Sequence, residues 1–339
     1  MLLPSAFQAH SSPHVKGAIS TITIMRNVVY ALLPALAFGI YCFGLGALLL
    51  VLVTTASCLL GEWLVSRANG QGNSLRDYSA LITGLLLAMT LPASLPLWMA
   101  AVGGFVAIIL GKCLFGGLGS NPLNPALVGR AFLMAAFPAA LTTWTGHLVA
   151  NRFSSVNGSL LTLPLLHPQY DGISGATPLG GLKFSGLDTP LLDLFLGVTG
   201  GSLGETSAVL ILLGGAYLAL RRMLDWRIPT AIFATVILLG GGLHWWNPEL
   251  YPSATFHLFS GGLMLGAVFM ATDMVTSPST PRGVWLYGVL IGSVVVVIRL
   301  WGGLPEGVMY AILLGNACRP LIERLCRPKP FGWQARRAT

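Results

Sequence analysis

The chain has 339 residues, of which 54% are hydrophobic and only 9% charged, with a mean hydropathy of +0.76. A soluble domain carries roughly a quarter of its residues as charged groups, so most of this surface faces lipid. The net charge of +8 comes without a basic run interleaved with aromatics, which argues against a nucleic-acid partner and for Lys and Arg gathered in loops on one side of a bilayer.

Residues 1–27 lack a short apolar region followed by a small-residue cleavage site, so no cleaved signal peptide is expected. Apolar runs then occupy about 28–44, 46–65, 79–91, 97–115 and 123–138, and, after a polar stretch, 204–220, 228–243, 256–272, 283–300 and 303–318. A helix needs about 20 apolar residues to cross the hydrocarbon core. The pattern predicts an all-α membrane protein of about ten transmembrane helices. The third and eighth runs are short and end in Leu91-Pro92-Ala93-Ser94-Leu95-Pro96 and Ser277-Pro278-Ser279-Thr280-Pro281. Non-helical backbone at membrane depth survives only where protein or a wet cavity buries it, so these are expected to be broken helices that shape a site.

Five segments per half invert the second half relative to the first. Lys112-Cys113-Leu114-Phe115-Gly116-Gly117-Leu118 beside Ile298-Arg299-Leu300-Trp301-Gly302-Gly303-Leu304 supports two inverted five-helix repeats, an arrangement that places a site near the midplane. The expected organisation is a cytoplasmic N-terminal segment (1–27), a first repeat (28–138), an outer loop (139–203), a second repeat (204–318) and a basic cytoplasmic tail (319–339). With the N-terminus inside, fifteen of the nineteen Lys and Arg fall on the cytoplasmic side; Arg152, Lys183 and Arg299 fall outside, and Arg130 lies within a segment. That bias puts both termini in the cytoplasm and the loop in the periplasm of a bacterial inner membrane.

Three constellations carry chemistry. Asp171-Gly172-Ile173-Ser174-Gly175-Ala176-Thr177 reads as a Gly-punctuated polar turn, with Thr177 a hydroxyl presented for modification or an ordinary surface residue. Asn121-Pro122-Leu123-Asn124-Pro125 opens the fifth segment; Asn121 and Asn124 can cap it, Pro125 suits its first position, and Arg130 is either functional or an interfacial charge snorkelling to the cytoplasmic surface. In both cases Arg130 is expected toward the cytoplasmic side, a membrane thickness from the outer loop. Asp273, with Thr272, Thr276 and Ser277, ends the short eighth segment, where freed carbonyls and a carboxylate suit a cation or a polar ring edge. Glu62 is expected to pair with Arg67. The five cysteines show no metal spacing, the six histidines form no HExxH motif, and no glycine run matches a nucleotide-binding fingerprint.

Asp171–Thr177 resembles the Asp-Gly-x-Ser/Thr-Gly-Ala-Thr signature of proteins flavinylated on threonine. With Ser12-Pro13-His14, Asn121-Pro122-Leu123-Asn124-Pro125-Ala126 and Ala271-Thr272-Asp273-Met274-Val275-Thr276-Ser277-Pro278, the chain is similar nearly throughout to the RnfD/NqrB family. Met274 stands where that family's pattern has Pro, so a looser turn is expected there. The short segment before the first helix favours the Rnf member.

The resemblance implies FMN joined through its phosphate to Thr177, with Asp171, Ser174, Gly175 and Ala176 around the acceptor. It further implies a flavin-facing or ion-facing role for Asn121, Asn124, Arg130, Asp273 and Thr276, and it allows a non-covalent riboflavin between the halves. It implies an electron-relay subunit of a ferredoxin:NAD+ oxidoreductase coupled to Na+ or H+ translocation, without a complete active site of its own. Implied partners are the other Rnf subunits, including a second FMN-bearing one, and a flavin transferase. The competing reading is a solute transporter or channel with the same inverted repeats and no redox role.

Overall fold

The structure, a computed structural model, describes residues 20–70, 74–154, 158–164, 166, 177–187 and 189–327. Their regular structure is helical, with no strand among the described residues. The first half runs α1 (Thr21–Phe43), α2 (Leu45–Ala68), α3 (Ser79–Met89), α4 (Leu97–Ile109) and α5 (Pro125–Ala136). Short α6 (Pro138–Thr142), α7 (Pro178–Ser185) and α8 (Leu191–Leu196) belong to the loop region. The second half runs α9 (Ala208–Leu220), α10 (Arg227–Trp246), α11 (Ala254–Phe259), α12 (Leu263–Leu265), α13 (Pro281–Trp301) and α14 (Val308–Leu325). Each of the ten apolar runs therefore holds helix. Five helices, those starting at Thr21, Leu45, Leu97, Arg227 and Pro281, are long and apolar enough to cross a membrane. With α3, α5 and α9 as shorter apolar helices, the chain is a multi-pass integral membrane protein.

The second half repeats the packing of the first. α2 lies against α3 and α4, and α4 against α5; α10 lies against α11 and α13, and α13 against α14. The halves meet where α1 packs on α9 and α5 on α14. The two Gly-Gly-Leu segments follow α4 and α13, matching positions in the repeat.

The eighth segment is broken, but inside the apolar run rather than at the Ser277–Pro281 turn where the sequence reading puts the break. α11 ends at Phe259, Ser260 is extended, Gly261 takes φ +69°, and α12 passes into a π-helical turn over Gly266–Met270. The third segment stays a regular helix to Met89 and breaks only in the Pro turn after it.

The loop is fastened to one end of the bundle, here termed the loop end. Leu148 N–H donates to Cys42 O at 2.9 Å, Leu45 N–H to Arg152 O at 2.9 Å, and Ser94 Oγ to Thr143 O at 2.9 Å. Gly44 makes this possible: its φ is +77°, and a Cβ there would lie 2.0 Å from Arg152 O. Only glycine tolerates both conditions. At the opposite, basic end lie Arg67 at the close of α2, Arg227 and Arg282 at the starts of α10 and α13, and Arg319 and Arg324 near the end of α14.

Candidate functional site

Thr177 opens α7. Its backbone is extended and its Oγ1 accepts the Gly180 N–H at 3.1 Å, with Pro178 in the first helical turn. A hydroxyl N-cap followed by Pro is what a helix start favours. The other end of α7 is held by Lys183, whose ammonium donates to the carbonyls of Arg299, Gly302 and Leu304 at 2.9, 2.5 and 3.1 Å. These are among the carbonyls that the end of α13 leaves without helical partners. Desolvation in this seat draws the Lys183 ammonium below its ordinary pKa. The end of α13 thereby fixes where Thr177 sits.

Thr177, Gly180 and Phe184 line a cavity of about 440 Å³ whose other walls include Trp144, Arg130, Glu306 and Tyr310. Small-molecule sites occupy about 300–1,000 Å³ and combine apolar walls with a few placed polar groups. The sequence reading puts the Thr177 hydroxyl in an exposed loop. Instead the residue is 7% exposed, because capping α7 turns the side chain inward. Asp171, Ser174, Gly175 and Ala176 lie outside the described residues.

Arg130 is the larger correction. The sequence reading places it toward the cytoplasmic end, a membrane thickness from the loop, whereas it lines the same cavity as Thr177. α5 explains this: its twelve residues rise about 18 Å, short of the roughly 30 Å hydrocarbon core. Its Asn124 start is itself buried, so a residue in the second turn reaches the loop-end cavity. Nor is Arg130 a snorkelling charge. Its Nη2 bonds Glu306 Oε2 at 2.7 Å, and Glu306 Oε1 accepts the Gly262 N–H at 2.6 Å.

Gly262 belongs to the break in the eighth segment, and a second cation serves the same break. Arg299, buried in α13, donates Nη1 to His257 O and Nη2 to Ser260 O, the latter at 2.9 Å. One acid and one guanidinium thus satisfy backbone groups that a continuous helix would have paired. Ser202, whose Oγ donates to Glu205 Oε1 at 2.8 Å, reaches the ion pair across a void of about 10 Å³ shared with Arg130 and Glu306.

At the basic end, Asn124 behaves as its sequence predicts. Its Oδ1 accepts from Ala126 N at 3.0 Å and Leu127 N at 3.5 Å, while its Nδ2 donates to Met270 O at 3.1 Å across the interface between halves. Asn121 Nδ2 donates to Leu123 O at 3.2 Å. Asp273 Oδ1 accepts from Val275 N at 3.2 Å, its Oδ2 from Thr276 Oγ1 at 3.3 Å, and its carbonyl from the N–H groups of Thr276 and Ser277. The turn at Met274 is therefore closed by Asp273 rather than loosened. Asn121, Asn124 and Asp273 share a cavity of about 100 Å³ with Lys112 and Ser79; Thr276 is not on its wall. That volume falls below the usual range for a cofactor-sized ligand, so the cavity does not fit riboflavin as it stands.

Glu62 does not meet Arg67. Residues five apart on a helix point in different directions. Arg67 instead lies 5.4 Å above the Trp63 ring, and Glu62 bonds the buried Lys112 at 2.7 Å. Sequence reasoning also passed over Glu205, Glu306 and His257. The available signal was scarcity: with eleven Asp and Glu in 339 residues, any acid beside an apolar run warrants scrutiny.

A model of the NQR2, RnfD, RnfE family matches residues 8–332. The chain is 40% identical over 337 residues to the D subunit of the proton-translocating ferredoxin:NAD(+) oxidoreductase complex of Clostridium ljungdahlii, covering 96% of each chain. It is 43% identical over 336 residues to the D subunit of the ion-translocating oxidoreductase complex of Stutzerimonas stutzeri, covering 92% of each. It is 41% identical over 326 residues to the D subunit of the Na(+)-translocating ferredoxin:NAD(+) oxidoreductase complex of Acetobacterium woodii, covering 95% and 94%. Matched from near its start to near its end, in a fold of repeated, broken membrane helices, this chain belongs to the NQR2, RnfD, RnfE family.

Proposed function

We propose that the chain is the flavin-carrying membrane subunit of an Rnf-type complex, with FMN esterified through its phosphate to Thr177 Oγ1. One observation carries the proposal. The Thr177 side chain is at the wall of the 440 Å³ cavity, among Trp144, Phe184 and Tyr310, whose rings suit a flat aromatic ligand. Ester formation joins the phosphate of FMN to the hydroxyl oxygen with net loss of one water. The N-terminus of α7, with the Gly180 N–H beside Thr177 Oγ1, would hold the ester phosphate, since a helix end favours an anion.

The bound flavin supplies the electron-carrying chemistry, and the chain supplies position and electrostatics. α7 would orient the attachment point, Trp144 and Phe184 would offer apolar wall to the ring, and the Arg130–Glu306 pair would present a fixed dipole from the same cavity. Since the hydroxyl is buried once α7 is docked, attachment by a flavin transferase precedes that docking. NAD and ferredoxin chemistry belongs to partner subunits, including a second FMN-bearing one. The chain relays electrons among them, coupled to movement of Na+ or H+. The names of the relatives divide between proton and sodium. A transporter without redox function would need no acceptor at Thr177.

Mass spectrometry of the peptide spanning Thr177 should show a gain of one FMN less one water, and the denatured band should fluoresce. Thr177→Val should be dark; a bright Thr177→Val band or an unmodified peptide from active protein overturns the assignment. The charge bias supports a periplasmic position for the loop. Cysteine at the exposed Ser185 should react with an impermeant thiol reagent in intact spheroplasts, and cysteine at the exposed Asn69 only after lysis. The reverse pattern would invert the orientation.

A further inference from the structure

A second loop-end cavity, of about 520 Å³, also borders α7 and takes no part in holding the flavin. It is lined by Lys183, His244, Glu249, Tyr251, His257 and Arg299 among others. Its cations make no contact ion pair among the described residues, although the Glu306 and Glu205 carboxylates lie within electrostatic reach of Arg299. Lys183 and Arg299 bond only backbone carbonyls. Glu306, an acid near Arg299, already holds Arg130 and Gly262. Its donors are unsatisfied as well. Of seven buried side-chain polar atoms without a partner among the described residues, three are His257 Nδ1, His257 Nε2 and Arg299 Nε. Buried polar groups are paired almost without exception; a neutral imidazole carries one N–H, so that N–H and the Arg299 Nε are two donors, on residues lining one cavity, that lack an acceptor.

The surroundings identify its source. Trp245 and Trp246 at the end of α10 are 88% and 79% exposed, and Trp301 at the end of α13 is 60% exposed. Tryptophans exposed at one level on neighbouring helix ends mark the headgroup region of a bilayer. Tyr251, on the cavity wall, packs edge-on against Trp301 with ring centroids 6.3 Å apart, so the cavity opens at that level.

We propose that this cavity binds the phosphate of one anionic phospholipid, held by His257 and Arg299 with its acyl chains beside the exposed tryptophans. The ligand is a headgroup phosphate rather than a free anion because the aromatic belt, and not water alone, borders the mouth.

The test is native mass spectrometry of the purified, delipidated chain titrated with phosphatidylglycerol, with phosphatidylcholine and with inorganic phosphate. Phosphatidylglycerol should add one tight equivalent in preference to phosphatidylcholine, and millimolar phosphate should not displace it. His257→Leu, which removes no side-chain bond found among the described residues, should weaken that adduct about tenfold or more, the scale of a hydrogen bond to a charged group. Glu249→Gln removes the acid named on the wall and should tighten it about twofold, the scale of an exposed charge. Equal retention of the two lipids overturns the proposal, as does displacement by phosphate or an adduct indifferent to His257→Leu. If His257→Leu does not fold, the sign of the Glu249→Gln change decides.

Discussion

Each end of the bundle buries an ion pair, yet the two pairs live in different surroundings. At the basic end, Lys112 and Glu62 are each 3% exposed in their side chains, and the ammonium also donates to Ser79 Oγ. At the loop end, Arg130 and Glu306 meet at the same 2.7 Å but are 9% and 19% exposed, on the wall of a cavity four times as large as the one beside Lys112. A sealed pair holds helices in register, whereas an open one faces whatever enters. The distance alone does not distinguish them; the adjoining space does.

Deleting one partner from each pair should separate the two roles, and the sealed pair should show the larger structural loss. Lys112→Met leaves a buried carboxylate without its cation, a change that costs about 3–5 kcal/mol in such sites. The double variant Lys112→Met with Glu62→Leu should recover most of that loss, since an apolar pair of similar volume is often neutral or better. Thermal unfolding in detergent reads both. A double variant as unstable as the single would mean that the pair does more than fill its site.

Arg130→Met should cost less in stability and more in chemistry. Glu306 keeps the Gly262 N–H and stands where water reaches it, so the loss should be about 1.5–3 kcal/mol at most, the scale of a hydrogen bond to a charged group. The flavin proposed on Thr177 should be retained because that residue is untouched. Its absorption maximum and reduction potential should shift, because a fixed dipole has left the cavity wall. An unchanged potential in a folded, flavinylated Arg130→Met protein would place the ring away from that wall.

The contrast also marks how far sequence could see. Apolar runs located all ten segments, because hydropathy answers to a uniform solvent. Local capping at α5 was equally legible: Asn124 and Pro125 stand where a helix start requires them, and Asn124 makes the capping bonds. The matching start of α13 at Thr280 and Pro281 reads in sequence only as the turn that ends the eighth segment. Partners distant in sequence were not legible. Glu306 lies 176 residues from Arg130, and Lys112 lies 50 from Glu62. Charge bias assigned Lys112 to a loop and Arg299 to the outer face, yet both are buried, since counting charges by side says nothing of depth. The placement of Arg130 failed for a related reason: a position along the chain becomes a depth only once the helix start is known, and α5 starts inside.

The smallest structural effect, and the sharpest use of the comparison, belongs to Asp273 at the basic end. Its carboxylate accepts from Val275 N and Thr276 Oγ1, so half of its surroundings are explained by a turn that needs an acceptor and not a charge. Asn keeps one acceptor oxygen, and the Thr276 hydroxyl can rotate to accept from the new amide. Asp273→Asn should therefore cost no more than about 1 kcal/mol and leave flavin content unchanged, since Thr177 is at the opposite end. The charge is a separate matter. Asp273 lines the small cavity with Lys112 and Asn124, and an acid at the end of a broken membrane helix is a functional group by default. If it serves a cation or a proton, Asp273→Asn should depress ion uptake into proteoliposomes and ferredoxin-linked NAD+ reduction together, with stability and flavin intact. Wild-type rates in both assays would reduce Asp273 to the acceptor that closes its own turn.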